Sequence, residues 1–144
     1  KELVKNAKKK IVISGWRREI EEIRKELISA KQRGIENTIF SFTKIDEKLG
    51  KIVSYELSES DLRKIWTPKI IMIVDNQHTI MGSTKKTEDC KAILTKNTAI
   101  NEIATNHIIL DITLAGRRLG FESDSYVKNI MRDPAENLQH LLNV

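Results

Sequence analysis

Three groups of residues in this chain are of types that could do chemistry. His107 and Asp111 stand four apart in a periodic segment, which brings an imidazole and a carboxylate together on one helical face. Asp75 ends an apolar run, and Gly82-Ser83 follows it seven residues later. Cys90 is the single cysteine, and its neighbours Glu88 and Asp89 oppose thiolate formation. The His–Asp pair resembles part of a nucleophilic triad, but no local pattern puts a serine or cysteine beside it, so a structural pair is expected. His78, His107, His140 and Cys90 lack ligand spacings such as CxxC or HExxH. No metal and no cofactor are expected.

These residues must be carried by a small set of elements. KKIVISGW, residues 9–16, reads as a buried strand with an exit turn at Ser14-Gly15. In residues 17–34, Ile20, Ile23, Leu27 and Ala30 recur at helical spacing, predicting one helix that Gly34 stops. NTIFSF, residues 37–42, resumes a strand, so the first two strands are expected to be parallel. IDEKLGK reads as a loop and IVSYEL as a short strand; Ser58 with Asp61 is a capping box for a short helix closed by Thr67-Pro68. KIIMIVD and TIMG predict a hairpin around Asp75-Asn76-Gln77-His78, and KAILT adds a strand. From Thr98 to Leu119 a long helix carries Ile100, Ile103, Ala104, Ile108, Asp111, Leu114 and Ala115 on one broad face. Asp133 and Pro134 start a final helix striped by Leu138, Leu141 and Leu142. Interleaved strands and helices, with one strand apolar enough to be covered on both faces, predict an α/β fold with a mixed sheet flanked by helices.

The totals fit one packed domain, since 144 residues with 40% hydrophobic and 31% charged side chains can build one core but not two of ordinary size. Five lysines against one glutamate in KELVKNAKKK hold +4 of the net +5, so the excess is a basic leader and not a nucleic-acid groove. The chain opens at Lys without Met, and its first residues read as the end of a helix belonging to a longer protein. The longest apolar run, Ile70 to Val74, is too short to cross a bilayer, no signal-peptide pattern is present and cysteine is scarce. A cytoplasmic location is expected.

The stretch WTPKIIMIVDNQHTIMGS resembles, in frame and length, the phospholipase D motif H-x-K-x4-D followed by Gly-Ser, with Asp75 on the Asp and Gly82-Ser83 on the Gly-Ser. The positions that would carry the nucleophilic His and the phosphate-holding Lys are Pro68 and Ile70. Neither has a nucleophile or a cation, so phosphodiesterase activity is not expected. Lys69 is one residue away, on the opposite face of the same strand, and cannot simply substitute.

A longer match is carried by IVISGWRREIEEIRKELISAKQRGIENTIFSF, GKIVSY, IIMIVDNQHTIMGS and CKAILTKNTAINEIA. In order and spacing these resemble the domain that follows the winged helix in TrmB-type transcriptional regulators. The resemblance implies a phospholipase D-like fold without its His and Lys. It divides the chain into the end of a linker or dimerisation helix (1–8), a regulatory domain (9–120) and a C-terminal helical extension (121–144). It further implies a homodimer and a small-molecule effector such as a sugar or sugar phosphate. DNA would be bound only through an N-terminal winged helix that this sequence does not contain. The C-terminal β-rich part that contributes to the sugar site in archaeal members is also missing from it. An effector would lie beyond the carboxyl ends of the strands, where Ser14, Trp16, Thr43, Asp75, Ser83 and Thr84 are the candidate contacts. Trp16 either stacks on a sugar face or, four residues before Ile20, packs into the core; Asp75 and Ser83 either touch ligand or only shape the hairpin.

Overall fold

In the computed structural model, which describes residues 1–83 and 92–130, the central strand is β1 (Lys10–Ser14). On one side it pairs in parallel with β2 (Glu36–Thr43), Ser14 lying opposite Phe40. On the other it pairs antiparallel with β4 (Lys69–Val74), Ser14 opposite Ile71 and Ile11 opposite Val74. β3 (Lys51–Leu57) continues the sheet in parallel beyond β2, while β5 (His78–Ser83) and β6 (Ala92–Thr95) continue it antiparallel beyond β4. The order is β3-β2-β1-β4-β5-β6, the mixed sheet that the sequence predicts.

Alternation along β1 builds two cores at once. Ile11 and Ile13 point into the layer formed with Ile20, Leu27 and Ala30, while Val12 points into the layer formed with Ala104, Ile108 and Ile112. The first layer is covered by α2 (Arg17–Glu21) and α3 (Arg24–Gln32), the second by α5 (Thr98–Leu119). Each such aliphatic side chain removed from water contributes roughly 1.5–3 kcal/mol, so a strand buried on both faces anchors the domain. α1 (Glu2–Lys5) adds Val4 to the first layer, and α6 (Asp124–Ile130) adds Val127 and Ile130 to the second. The packing therefore crosses the expected boundaries at residues 8 and 120.

Three expectations are corrected. The helix predicted over 17–34 is two helices, joined where the Ile23 N–H donates to the Ile20 carbonyl in a tighter i to i−3 turn. That turn keeps Ile20, Leu27 and Ala30 on one face, so periodicity does not reveal the break. On α5, the buried face is Asn101, Ala104, Ile108, Ile112 and Ala115, while Ile103 and Leu114 are exposed. This helix is apolar on most sides, and the small residues Ala104 and Ala115 select the side that approaches the sheet. His78 is not in the hairpin turn but opens β5, opposite Val74. Thr84, Cys90 and the helix expected from Asp133 lie outside the described residues.

Short-range chemistry fixes the remaining joints. The Ser58 hydroxyl accepts from the Asp61 N–H and starts α4 (Glu59–Arg63), as its capping pattern predicts. Gly50 is needed because a Cβ there would lie 2.3 Å from the Asn37 carbonyl oxygen. Gly120, at φ 75, closes α5 in the left-handed conformation.

The hairpin turn is tied to the chain's start by Asp75. Its Oδ2 accepts from the Lys8 N–H at 2.9 Å and its Oδ1 from Lys9 and Lys10 at 2.7 and 3.1 Å, while its own N–H donates to the Lys10 carbonyl at 2.9 Å. Asp75 and Asn76 both have positive φ, the backbone of a tight hairpin turn. The Lys10 ammonium, meanwhile, donates to the Asn129 and Ile130 carbonyls at the end of α6. Burial pushes the Asp75 carboxyl up, but the three N–H donors and the Lys9 charge outweigh it and hold the group below the usual carboxylate range. A depressed folded value means that the stabilisation is present above the ordinary carboxylate pKa and is lost as pH falls through the folded one. Asp75→Ala is therefore expected to cost about 1–3 kcal/mol at neutral pH and less in acid, measured by urea denaturation at both. An equal cost at both would contradict this role.

Candidate functional site

At the end of the sheet where β1 stops and β4 begins, a cavity of about 280 Å³ opens between the strand ends and α5. Ser14, Gly15 and Trp16 line it from the β1 exit, Phe42 from β2, Trp66, Thr67, Lys69 and Ile71 from the entry to β4, and His107 and Asp111 from α5. Its position follows from chain direction. β1 and β2 are parallel and deliver their carboxyl ends, whereas β4 runs the other way and delivers its first residues.

The walls are aromatic. Phe42 and Trp66 meet with ring centroids 4.9 Å apart at 46°, and Tyr55 stacks on Phe42 at 5.5 Å and 9°. Trp16 is 5% exposed and Trp66 45%, so one indole is set into the core and the other stands at the rim. Flat rings of this kind stack against the apolar face of a ligand. The hydroxyls of Ser14 and Thr67, the Lys69 ammonium and the His107–Asp111 pair supply polar contacts around them.

His107 Nε2 lies 3.3 Å from Asp111 Oδ2, the i to i+4 meeting that the spacing predicts. Burial pushes the Asp111 carboxyl above its ordinary range, and the His107 charge pulls it back only in part. Ser14 lines the same cavity, a neighbour that no local sequence pattern announces. It makes no hydrogen bond to His107, and the imidazole nitrogen a triad would use on serine is turned to the carboxylate instead. Among the described residues, no group of three or more His, Cys, Asp or Glu side chains could hold a metal ion.

Of the candidate contacts, Ser14 and Trp16 line the cavity. Thr43 is buried, with its Oγ1 accepting from the Arg17 N–H at 2.8 Å and lying 2.9 Å from Ser41 Oγ, so its hydroxyl serves the start of α2. Asp75 does not line it, because β4 is antiparallel to β1 and its end lies beside Lys10, at the opposite end of the strands from the cavity. Ser83 pairs with Lys69 and so stands at the cavity end without lining it. Thr84 is outside the described residues. The motif positions Pro68 and Ile70 do not line the cavity, whereas Lys69 and Ile71, on the other face of β4, do. Phe42 and Trp66 also line it without being among the candidate contacts, although an aromatic at the end of one strand and another just before the next are signals the sequence carries.

A mixed sheet covered by helices on both faces, with a cavity at the strand ends, is an α/β domain of the open-sheet type. The family described as "Transcriptional regulator TrmB, EBD N-terminal subdomain" matches residues 1–106, and the chain belongs to this family of transcriptional regulators. Among solved structures, TrmBL2, an archaeal chromatin protein reported to show a novel mode of DNA binding, is similar with a TM-score of 0.53 and 14% identity over 74% of this chain. The present chain spans 44% of that protein's length. NucT from Helicobacter pylori is similar with a TM-score of 0.51 and 14% identity over 74% of this chain and 80% of that one. At such identities the two structures establish a shared fold alone. No curated protein matches the sequence. No helix among the described residues is long and apolar enough to cross a membrane.

The raised Asp111 carboxyl gives a test of the site's electrostatics. The folded protein favours the neutral acid, so stability is fully present below the ordinary carboxylate pKa and declines as pH rises from there through the raised value. Asp111→Asn should flatten that decline in melting temperatures recorded from acid to neutral pH. An unchanged slope would show that the carboxyl titrates as if in water.

Proposed function

We propose that this domain is the effector-sensing and dimerisation part of a TrmB-family transcriptional regulator, that it is not an enzyme, and that its effector occupies the strand-end cavity. The observation that carries the reading is the cavity itself: aromatic walls with hydroxyl, ammonium, imidazole and carboxylate groups, in a chain that belongs to a regulator family. The Lys69 ammonium and the hydroxyl, imidazole and carboxyl groups set among aromatic rings suit a hydroxylated ligand with an apolar face, a sugar or a sugar phosphate. DNA recognition is assigned to a winged helix outside this sequence, as in the family resemblance.

Catalysis is not part of this reading. Phosphoryl transfer needs a nucleophile and fixed cations around the transferring group, and the motif positions hold proline and isoleucine. His107 is turned to Asp111, which suits a hydrogen-bonding contact for a hydroxyl.

The chain has two tryptophans, Trp16 and Trp66, and both line the cavity, so intrinsic fluorescence reports on its occupancy directly. A panel of sugars and sugar phosphates should contain a compound that changes the emission and raises the melting temperature. At a hundredfold excess over its dissociation constant, the ligand would stabilise the fold by about 2.7 kcal/mol. Trp66→Phe should remove most of the fluorescence response while leaving the fold intact. A panel that moves neither signal would leave a dimerisation module without an effector.

A further inference from the structure

Ile103, Leu110 and Leu114 on α5 are 70%, 59% and 42% exposed. At 3.6 residues per turn they fall within an arc of about 40°, so they form one row along the outer face of the helix. Single exposed aliphatics are ordinary on a protein surface, but an aligned row on the side away from the sheet is not. The opposite side of α5 is already used, since Ala104, Ile108, Ile112 and Ala115 are buried in the second core layer.

The geometry points to a second copy of this chain as the occupant, with the two α5 helices packed antiparallel about a two-fold axis. The row is self-complementary in that arrangement. A two-fold through the middle of the helix lays Ile103 against the partner's Leu114 and Leu110 against the partner's His107. It also brings Glu102, near the amino end of α5, toward the partner's Arg117 near the carboxyl end, because both flank the same side of the row. A parallel pairing would instead set Arg117 and Arg118 against their own copies. Antiparallel packing further opposes the helix dipoles favourably.

The proposal rests on the dimerisation reading above and adds the surface. It also gives that surface a link to the cavity, since His107 lines the cavity and borders the row. One helix-on-helix seam is smaller than a standard stable interface, so the dimer should dissociate in the micromolar range.

Sedimentation equilibrium of the chain from low to high micromolar concentration should fit a monomer–dimer equilibrium. Leu110→Glu combined with Leu114→Glu should weaken it by roughly tenfold or more, as expected for removing the centre of an interface. Both side chains are exposed, so the circular dichroism spectrum and melting curve should stay close to those of the parent. Glu102→Arg and Arg117→Glu should each weaken the dimer, and their combination should restore it. A dimer unchanged by the paired glutamates overturns the α5 seam and leaves dimerisation standing on another surface. A chain that stays monomeric throughout overturns both, including the case in which another part of the chain covers the row.

Discussion

Ser14 opposite Ile71, and Ile11 opposite Val74, express the constraint on which the site depends: β4 is laid antiparallel against the central strand. Had β4 run parallel, its carboxyl end and Asp75 would have stood beside the exits of β1 and β2. The reversal exchanges the two ends of β4. Lys69 and Thr67 arrive at the cavity, and Asp75 is carried to the far end of the strands, where the chain's start supplies three N–H groups for it. A carboxylate with that many donors is anchored, and it holds the basic leader to the hairpin. Opposite ends of one strand thus serve separate purposes, fixing the fold at one and lining a cavity at the other.

α5 faces a related constraint. It must cover the sheet with one side while its flank closes the cavity, and it is apolar over most of its circumference. Close approach to a sheet favours small and branched side chains, and Ala104, Ile108, Ile112 and Ala115 meet the second core layer. His107 and Asp111 then fall at the border between the covered side and the outer side, 58% and 24% exposed. That border explains the Asp111 shift: the carboxyl is withdrawn enough from water to resist ionisation, while its imidazole neighbour stays wet.

Much of the architecture was legible in the sequence because it rests on local signals. Strand alternation, the Ser58 cap, the Asp75-Asn76 turn and the bounds of the long helix at Thr98 and Leu119 each follow from a few neighbouring residues. The elements that misled are those whose outcome is decided at a distance. The break between Glu21 and Arg24 preserves the apolar spacing, and the buried side of α5 depends on what the sheet can accept. The site was half legible for the same reason. Ser14 and Trp16 sit where a parallel strand ends, and the rule about strand ends finds them. The same rule also points to Asp75, which stands at the other end of the strands because β4 is antiparallel. Lys69 faces away from the motif positions, and that is the face which lines the cavity. Phe42 and Trp66 meet only after β2 and β4 are both in place.

The two faces of β4 carry different kinds of side chain. Ile70, at the position where the phospholipase D motif has lysine, packs with the first core layer, and Pro68 is buried. A lysine buried there would need a partner or would lose its charge, and it would replace apolar contact with desolvation cost. Isoleucine meets no such demand and adds to the core. The polar groups at this end of the sheet are gathered instead on the other face, where Lys69 lines the cavity among aromatic rings. On the reading proposed, a site relieved of the need to stabilise a transition state can keep a partly exposed tryptophan and an exposed histidine at its rim. On that same reading these groups report occupancy, and His107 stands between the cavity and the outer face of α5.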